Sequence, residues 1–295
     1  MFWGGSDLFS KMGSDSTDKY SHWKIVVAVG TVMGLHATFE LLTGTKFYPV
    51  DFIKYSPAII CYVSSMILGY VGLRYIMLSV SSPICNSSGA LACVLLMVVL
   101  KEFPENPLQY VGLVLVCVGV VALAILEQKK DKEARERLSE EEKKKYSKGF
   151  IAVMFPIFYC IIDALGTFVD GYLLGDYEGM PAKIEETAGL IAYELTFLLM
   201  AVFAFIYVVV IRREKISFSG EKPKIAAAVC ETAGQVAYTY AIAANSVVAA
   251  PMISTYCVFS LIWARILLKE KLTKAQYLVL AIALAGILIL GDFYA

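Results

Sequence analysis

Charge is what this sequence has least of. Only 18% of its 295 residues are Asp, Glu, Lys or Arg, where a soluble domain carries about a quarter. The formal net charge is +0, so nothing suggests a nucleic-acid partner. Histidine is nearly absent: His22 and His36 are too few and too far apart for a histidine metal site, so no metal is expected. The seven cysteines, Cys61, Cys85, Cys93, Cys117, Cys160, Cys230 and Cys257, all fall inside apolar runs. None forms a CxxC or a Cys/His cluster, so they read as small reduced packing residues rather than disulfides or metal ligands. There is no nucleophile elbow, no HExxH and no phosphate loop. An enzyme, a cofactor and ATP-driven transport are therefore not expected. No secretory signal precedes the first apolar run.

What the chain has instead is long apolar runs. It is 58% hydrophobic with mean hydropathy +0.67, and most of it divides into stretches able to cross about 30 Å of hydrocarbon as helix. A soluble helical core would show amphipathic runs of about ten to fourteen residues; these are longer and apolar all round. The fold class expected is an all-α polytopic membrane protein, multi-pass in the cell (plasma) membrane. Spans fall at about 24–43, 56–76, 79–100, 108–127, 149–174, 187–211, 224–244, 247–268 and 275–293. Pro49 and Pro57 punctuate the second connection. Residues 1–13 form a shorter apolar piece, reaching only about 20 Å as helix. It reads either as a half-helix or as the end of a first helix lacking an upstream turn or two, and Phe2-Trp3 favours the latter. Lys129 to Lys148 mixes both signs and reads as a solvated linker or short surface helix.

The chain also repeats itself. Pro83–Glu102 (PICNSSGALACVLLMVVLKE) returns as Pro251–Glu270 (PMISTYCVFSLIWARILLKE), each closing on Leu-Lys-Glu. Beyond them Gln109-Tyr110 and Gln276-Tyr277 each open a further run, with Gly119 and Gly286 nine residues after the tyrosine. Such self-similarity indicates duplication. Residues 1–128 and 149–295 are then two five-helix units joined by 129–148. An odd number of crossings per unit makes the repeats inverted, giving about ten transmembrane helices. Cations crowd the connections after the odd-numbered helices, which by the positive-inside rule puts both termini outside.

Ionisable groups at membrane depth cost about 2.5–3.5 kcal/mol each on insertion scales, so each needs a partner or a job. The candidates for substrate binding or proton coupling are Glu231, Asp7, Asp163, Glu194, Glu40 and His36. Asp7 and Asp163 correspond across the repeats, Phe2-Trp3 preceding one as Phe158-Tyr159 precedes the other. His36 and Glu40 share a helix face. Glu231 lies seven residues inside its span with Gln235 one turn on, and carries the most weight. Asp170 and Asp292 read as interfacial. The bland account is that each acid is protonated or hydrogen-bonded structurally. Against it stands the excess of acids over cations (Lys11, His36 and Arg265), which suits a cationic substrate, a proton, or both in exchange.

Candidate cavity-lining residues are Trp3, Tyr62, Asn86, Tyr159, Gln235, Tyr238, Ser254 and Tyr256, and Tyr70, Tyr193 and Tyr240 also accompany the acids. Aromatic faces beside carboxylates could cage an amine, although tyrosine is also common in packing and at interfaces. Pro83 and Pro251 head the fourth and ninth helices, where a freed carbonyl can face a cavity. Gly30 and Gly34 form a GxxxG suited to close helix packing.

Phe2-Trp3-Gly4-Gly5-Ser6, the proline-led helices ending at Leu100–Glu102 and Leu268–Glu270, and the doubled layout together resemble the drug/metabolite transporter superfamily, EamA-type. The resemblance implies ten helices in two inverted repeats. It also implies a central cavity lined by helices three, four, eight and nine, flanked by one and six, with the termini inside. It implies alternating-access transport of a small molecule, proton-coupled or by exchange. The expected function is secondary transport of a small cationic or zwitterionic metabolite or drug. Its partners would be that substrate, the lipid bilayer and protons, and a homodimer is compatible with it. The alternative from another class is a non-transporting membrane scaffold or sensor with structural buried acids.

Overall fold

A computed structural model describes residues 1–13, 18–75, 85–101, 103–104, 106–136, 149–176, 182–216, 220–267 and 273–291. Pro83, Glu102, Glu270, Asp292, most of the charged segment after Glu136 and the Arg265 side chain lie outside the described residues. Among the described residues every regular element is helical: α1 (Phe2–Gly13), α2 (Ser21–Leu42), α3 (Pro49–Tyr75), α4 (Ser88–Leu95), α5 (Pro107–Glu136), α6 (Gly149–Leu174), α7 (Glu186–Phe205), α8 (Lys222–Ser254), α9 (Tyr256–Leu267) and α10 (Lys274–Gly291). α4 and α7 each run on through a wider π-helical turn, Leu96–Leu100 and Ile206–Ile211.

Among the described residues, five helical stretches are long and apolar enough to cross a membrane: Ser21–Leu42, Pro49–Val71, Met154–Leu174, Glu186–Ile211 and Lys222–Ser260. Shorter apolar helices cover Ser88–Leu100, Pro107–Gly119 and Lys274–Ile289. Large apolar side chains such as Leu35, Phe39, Val98, Phe203 and Leu288 point outward, as a hydrocarbon solvent allows. The all-helical polytopic class read from composition is borne out.

Boundaries differ where proline was read as punctuation. Pro49 opens α3, but Pro57 lies inside it. A proline there leaves the carbonyl four residues earlier without its N–H partner. The Ser56 hydroxyl donates to that carbonyl, on Ile53, at 2.8 Å, so the helix continues. At the other end of the chain the expected single span 247–268 is broken. α8 kinks at Asn245, whose backbone is extended and whose Oδ1 accepts the Val248 N–H at 3.2 Å, recapping the helix. Pro251 follows inside the new segment, which ends at Thr255 before α9 starts. Part of the charged stretch expected as a linker extends α5 to Glu136.

The helices pack in pairs: α2 on α7, α3 on α6, α5 on α10 and α1 on α8, with α1 also on α9 and α4 on α6. In α2, Gly30 lies against the Phe197 backbone of α7 and Gly34 against Leu198, the close packing expected of that GxxxG. Between α5 and α10, Gly119 faces Ala283 while Gly286 faces Val116 and Gly112. The repeat offset equates Gly119 with Gly286 and Val116 with Ala283, so these are two copies of one contact about an approximate two-fold, as in a self-complementary interface.

Candidate functional site

An internal cavity of about 110 Å³ lies among α1, α3, α4, α6, α7, α8 and α9. Helical spacing brings its lining there. α1 supplies Trp3, Ser6, Asp7 and Ser10; α3 supplies Tyr62, Met66, Gly69 and Tyr70; α6 supplies Tyr159, Asp163 and Thr167; α8 supplies Glu231, Gln235 and Tyr238. In each, steps of three or four residues keep one face toward the centre. Cys85, Ser88 and Gly89 enter from the start of α4, Tyr193 from α7, and Ser254 and Tyr256 from either side of the break at Thr255.

Three of the acids singled out in the sequence meet here. Asp163 accepts hydrogen bonds from Ser88 Oγ at 2.8 Å and Ser65 Oγ at 3.3 Å. Asp7 accepts from Ser260 Oγ at 3.3 Å. Glu231 is bonded by Ser6 and lies near enough to Asp7 and Asp163 for their charges to repel. Among the described residues lining the cavity there is no lysine, arginine or histidine. Trp3 lies tilted against Tyr238 at 5.2 Å and meets Tyr256 edge-on at 5.8 Å. Its approach to α8 depends on Gly234, where a Cβ would lie 2.5 Å from the indole. Gly4 sits against the α9 backbone and Gly5 against Cys230. The Phe-Trp-Gly-Gly-Ser run thus alternates cavity-facing side chains with points of close helix approach.

Not every candidate belongs to this cavity. His36, Glu40 and Glu194 form a separate cluster between α2 and α7. His36 Nδ1 is 2.8 Å from Glu194 Oε2 and Nε2 is 3.8 Å from Glu40 Oε1, while Thr45 Oγ1 donates to Glu40 at 2.9 Å. Asn86 is buried beside the cavity but does not line it. Tyr240 is exposed on the outer surface of α8.

Asp170, read as interfacial from its place near a helix end, is 0% exposed, because its face of α6 is turned onto α3 and α8. Tyr62 Oη donates to its Oδ2 at 2.9 Å, Tyr55 and Tyr238 bring hydroxyls to the same carboxyl, and Tyr62 and Tyr238 contact each other. The signal was present in the sequence: Asp163, Thr167 and Asp170 stand at i, i+4 and i+7, on one face.

Residues 187–291 match the EamA-like transporter family. That stretch lies in the second of the two repeat units, and the match agrees there with the resemblance to the drug/metabolite transporter superfamily read from the sequence. No curated protein matches the chain. One solved structure, described only as "Crystal structure of protein", shares 12% identity, with a TM-score of 0.63 over 99% of this chain and 96% of its own. At that identity the likeness is one of fold.

Proposed function

We propose that the protein is a secondary transporter for a small cationic or zwitterionic metabolite, bound among Asp7, Asp163 and Glu231 and moved by alternating access, with protons or a second solute as the coupled species. One observation carries this reading. Three carboxylates from three helices face one aromatic-walled cavity with no cation among its described lining. A cation there neutralises mutual repulsion and gains cation–π contact with Trp3 and the surrounding tyrosines.

Two inverted five-helix units, 1–128 and 149–295, supply the mechanism we propose. Exchanging α1–α5 with α6–α10 maps the α3–α6 contact onto α8–α1 and the α1–α9 contact onto α6–α4, and leaves α2–α7 and α5–α10 paired as they are. Such a frame can rock between two nearly equivalent packings around a central site. We place it in the plasma membrane.

The test is uptake by proteoliposomes, with radiolabelled tetramethylammonium as a small probe cation that cannot itself carry a proton. Wild type should respond to a pH gradient, and Glu231→Gln should abolish the response. Uptake indifferent to Glu231→Gln sinks that role. Absence of both flux and thermal stabilisation across a panel of amines, amino acids and nucleosides would favour a scaffold or sensor.

A further inference from the structure

Asp170 has no part in the substrate site proposed above, yet a chain of hydroxyls joins it to the cavity. Thr167, Tyr62 and Tyr238 all line the cavity. The two tyrosine hydroxyls lie 3.4 and 3.3 Å from Thr167 Oγ1 and touch each other, and Tyr62 reaches Asp170. Among the described residues, the titratable groups facing Asp170 are Tyr55, Cys61 and Tyr62 from α3, Tyr193 from α7, Tyr238 from α8 and Asp163 on its own helix. None is a cation.

A carboxylate buried without a cation costs several kcal/mol. Replacement by a neutral side chain would remove that cost, so a structural role alone gives no reason for an acid here. A hydroxyl can serve both of its forms, donating to the carboxylate and accepting from the acid. With tyrosine hydroxyls as its hydrogen-bonding neighbours, the carboxyl is free to exist in either state. A hydroxyl chain also lets a proton pass without any group moving far.

We propose that Asp170 is a proton-holding acid of the transport cycle, distinct from the carboxylates that bind substrate and reached from the cavity through Thr167, Tyr62 and Tyr238. The step conserves protons. A proton leaving the cavity is taken by the first hydroxyl, which passes its own to the next, and the last is accepted by Asp170. The cavity loses one proton, Asp170 gains one, and each hydroxyl is unchanged. Separate sites let proton and substrate occupy the protein together instead of competing for one carboxylate.

This inference rests on the transporter reading, and its test has an arm that does not. Infrared difference spectra of purified protein carrying ¹³C-carboxyl aspartate should show a protonated-acid band that titrates in wild type and is missing in Asp170→Asn. In Tyr62→Phe that band should move to higher frequency, because the Tyr62 hydrogen bond to Asp170 Oδ2 is gone. In proteoliposomes, Asp170→Asn should lose proton-driven tetramethylammonium uptake by roughly tenfold or more, while unlabelled-for-labelled exchange stays within about twofold of wild type. A merely structural acid would lower both together. The proposal is overturned if the band survives Asp170→Asn, or if that variant keeps proton-driven uptake. Should Asp170→Asn not fold, an unshifted band in Tyr62→Phe overturns it equally. If wild type moves no tetramethylammonium, the transporter reading fails for this cation and the infrared arm still decides Asp170.

Discussion

Ser87 and Thr255 interrupt their helices with the same backbone geometry. Their φ/ψ values are −70/−9 and −73/−2, and the 168-residue offset of the repeat makes them equivalent positions. The residues that follow, Ser88 and Tyr256, both line the cavity. The breaks thus aim one side chain from each half at the same centre.

Close to the first break, Gly89 lets α4 approach the Pro251 segment backbone to backbone. A Cβ at Gly89 would fall inside contact distance of the Ala250 carbonyl and Ser254 Oγ. Gly89→Ala is expected to cost about 1–3 kcal/mol through overpacking, read as a lower melting temperature in detergent. Gly69→Ala should cost less, because its Cβ would meet only the Tyr159 ring, at 3.0 Å. Equal melting temperatures for the two variants would contradict this packing.

The cluster between α2 and α7 makes a different prediction. Glu194 is fully buried, whereas 29% of the His36 side chain is exposed. His36→Leu leaves the acid without its bonded partner and should destabilise the protein by roughly 3 kcal/mol, with His36→Leu/Glu194→Leu recovering much of the loss. Tetramethylammonium uptake per folded molecule should survive in the double variant. Its loss would bring these residues back into the transport site.

At the membrane edge, Lys24 Nζ lies 2.7 Å from Asp18 and 3.8 Å from Glu221, and Lys224 bonds Glu221. Partial burial would raise the Asp18 pKa, but hydrogen bonds from Lys24 and the Tyr20 N–H outweigh it, and the result is below the ordinary 3.8. A folded value below the unfolded one stabilises the protein above the unfolded value and is lost as pH falls through the folded one. Asp18→Asn should therefore lower the melting temperature at neutral pH, and the difference should begin to shrink as the pH drops through 3.8 and close below the lower, folded value. A constant difference across that range would refute the linkage.

Helix class and the meeting of Asp7, Asp163 and Glu231 were legible because apolar length and buried charge are one-dimensional signals. Which face an acid turns inward was legible only where spacing was followed through. Asp163, Thr167 and Asp170 share a stripe, but proximity to a helix end suggested exposure for Asp170. Pro57 and Pro251 misled for a related reason. Proline removes a donor without fixing where a helix stops, and the hydroxyl of Ser56 was enough to carry α3 past Pro57. The boundary expected between the spans 224–244 and 247–268 falls at Asn245, where the recapping hydrogen bond to Val248 marks the kink.

Tyr62 and Tyr238 touch from α3 and α8, one helix from each half of the chain. If the frame rocks as proposed, that contact must either travel with both halves or break, and breaking it would set one packing apart in energy from the other.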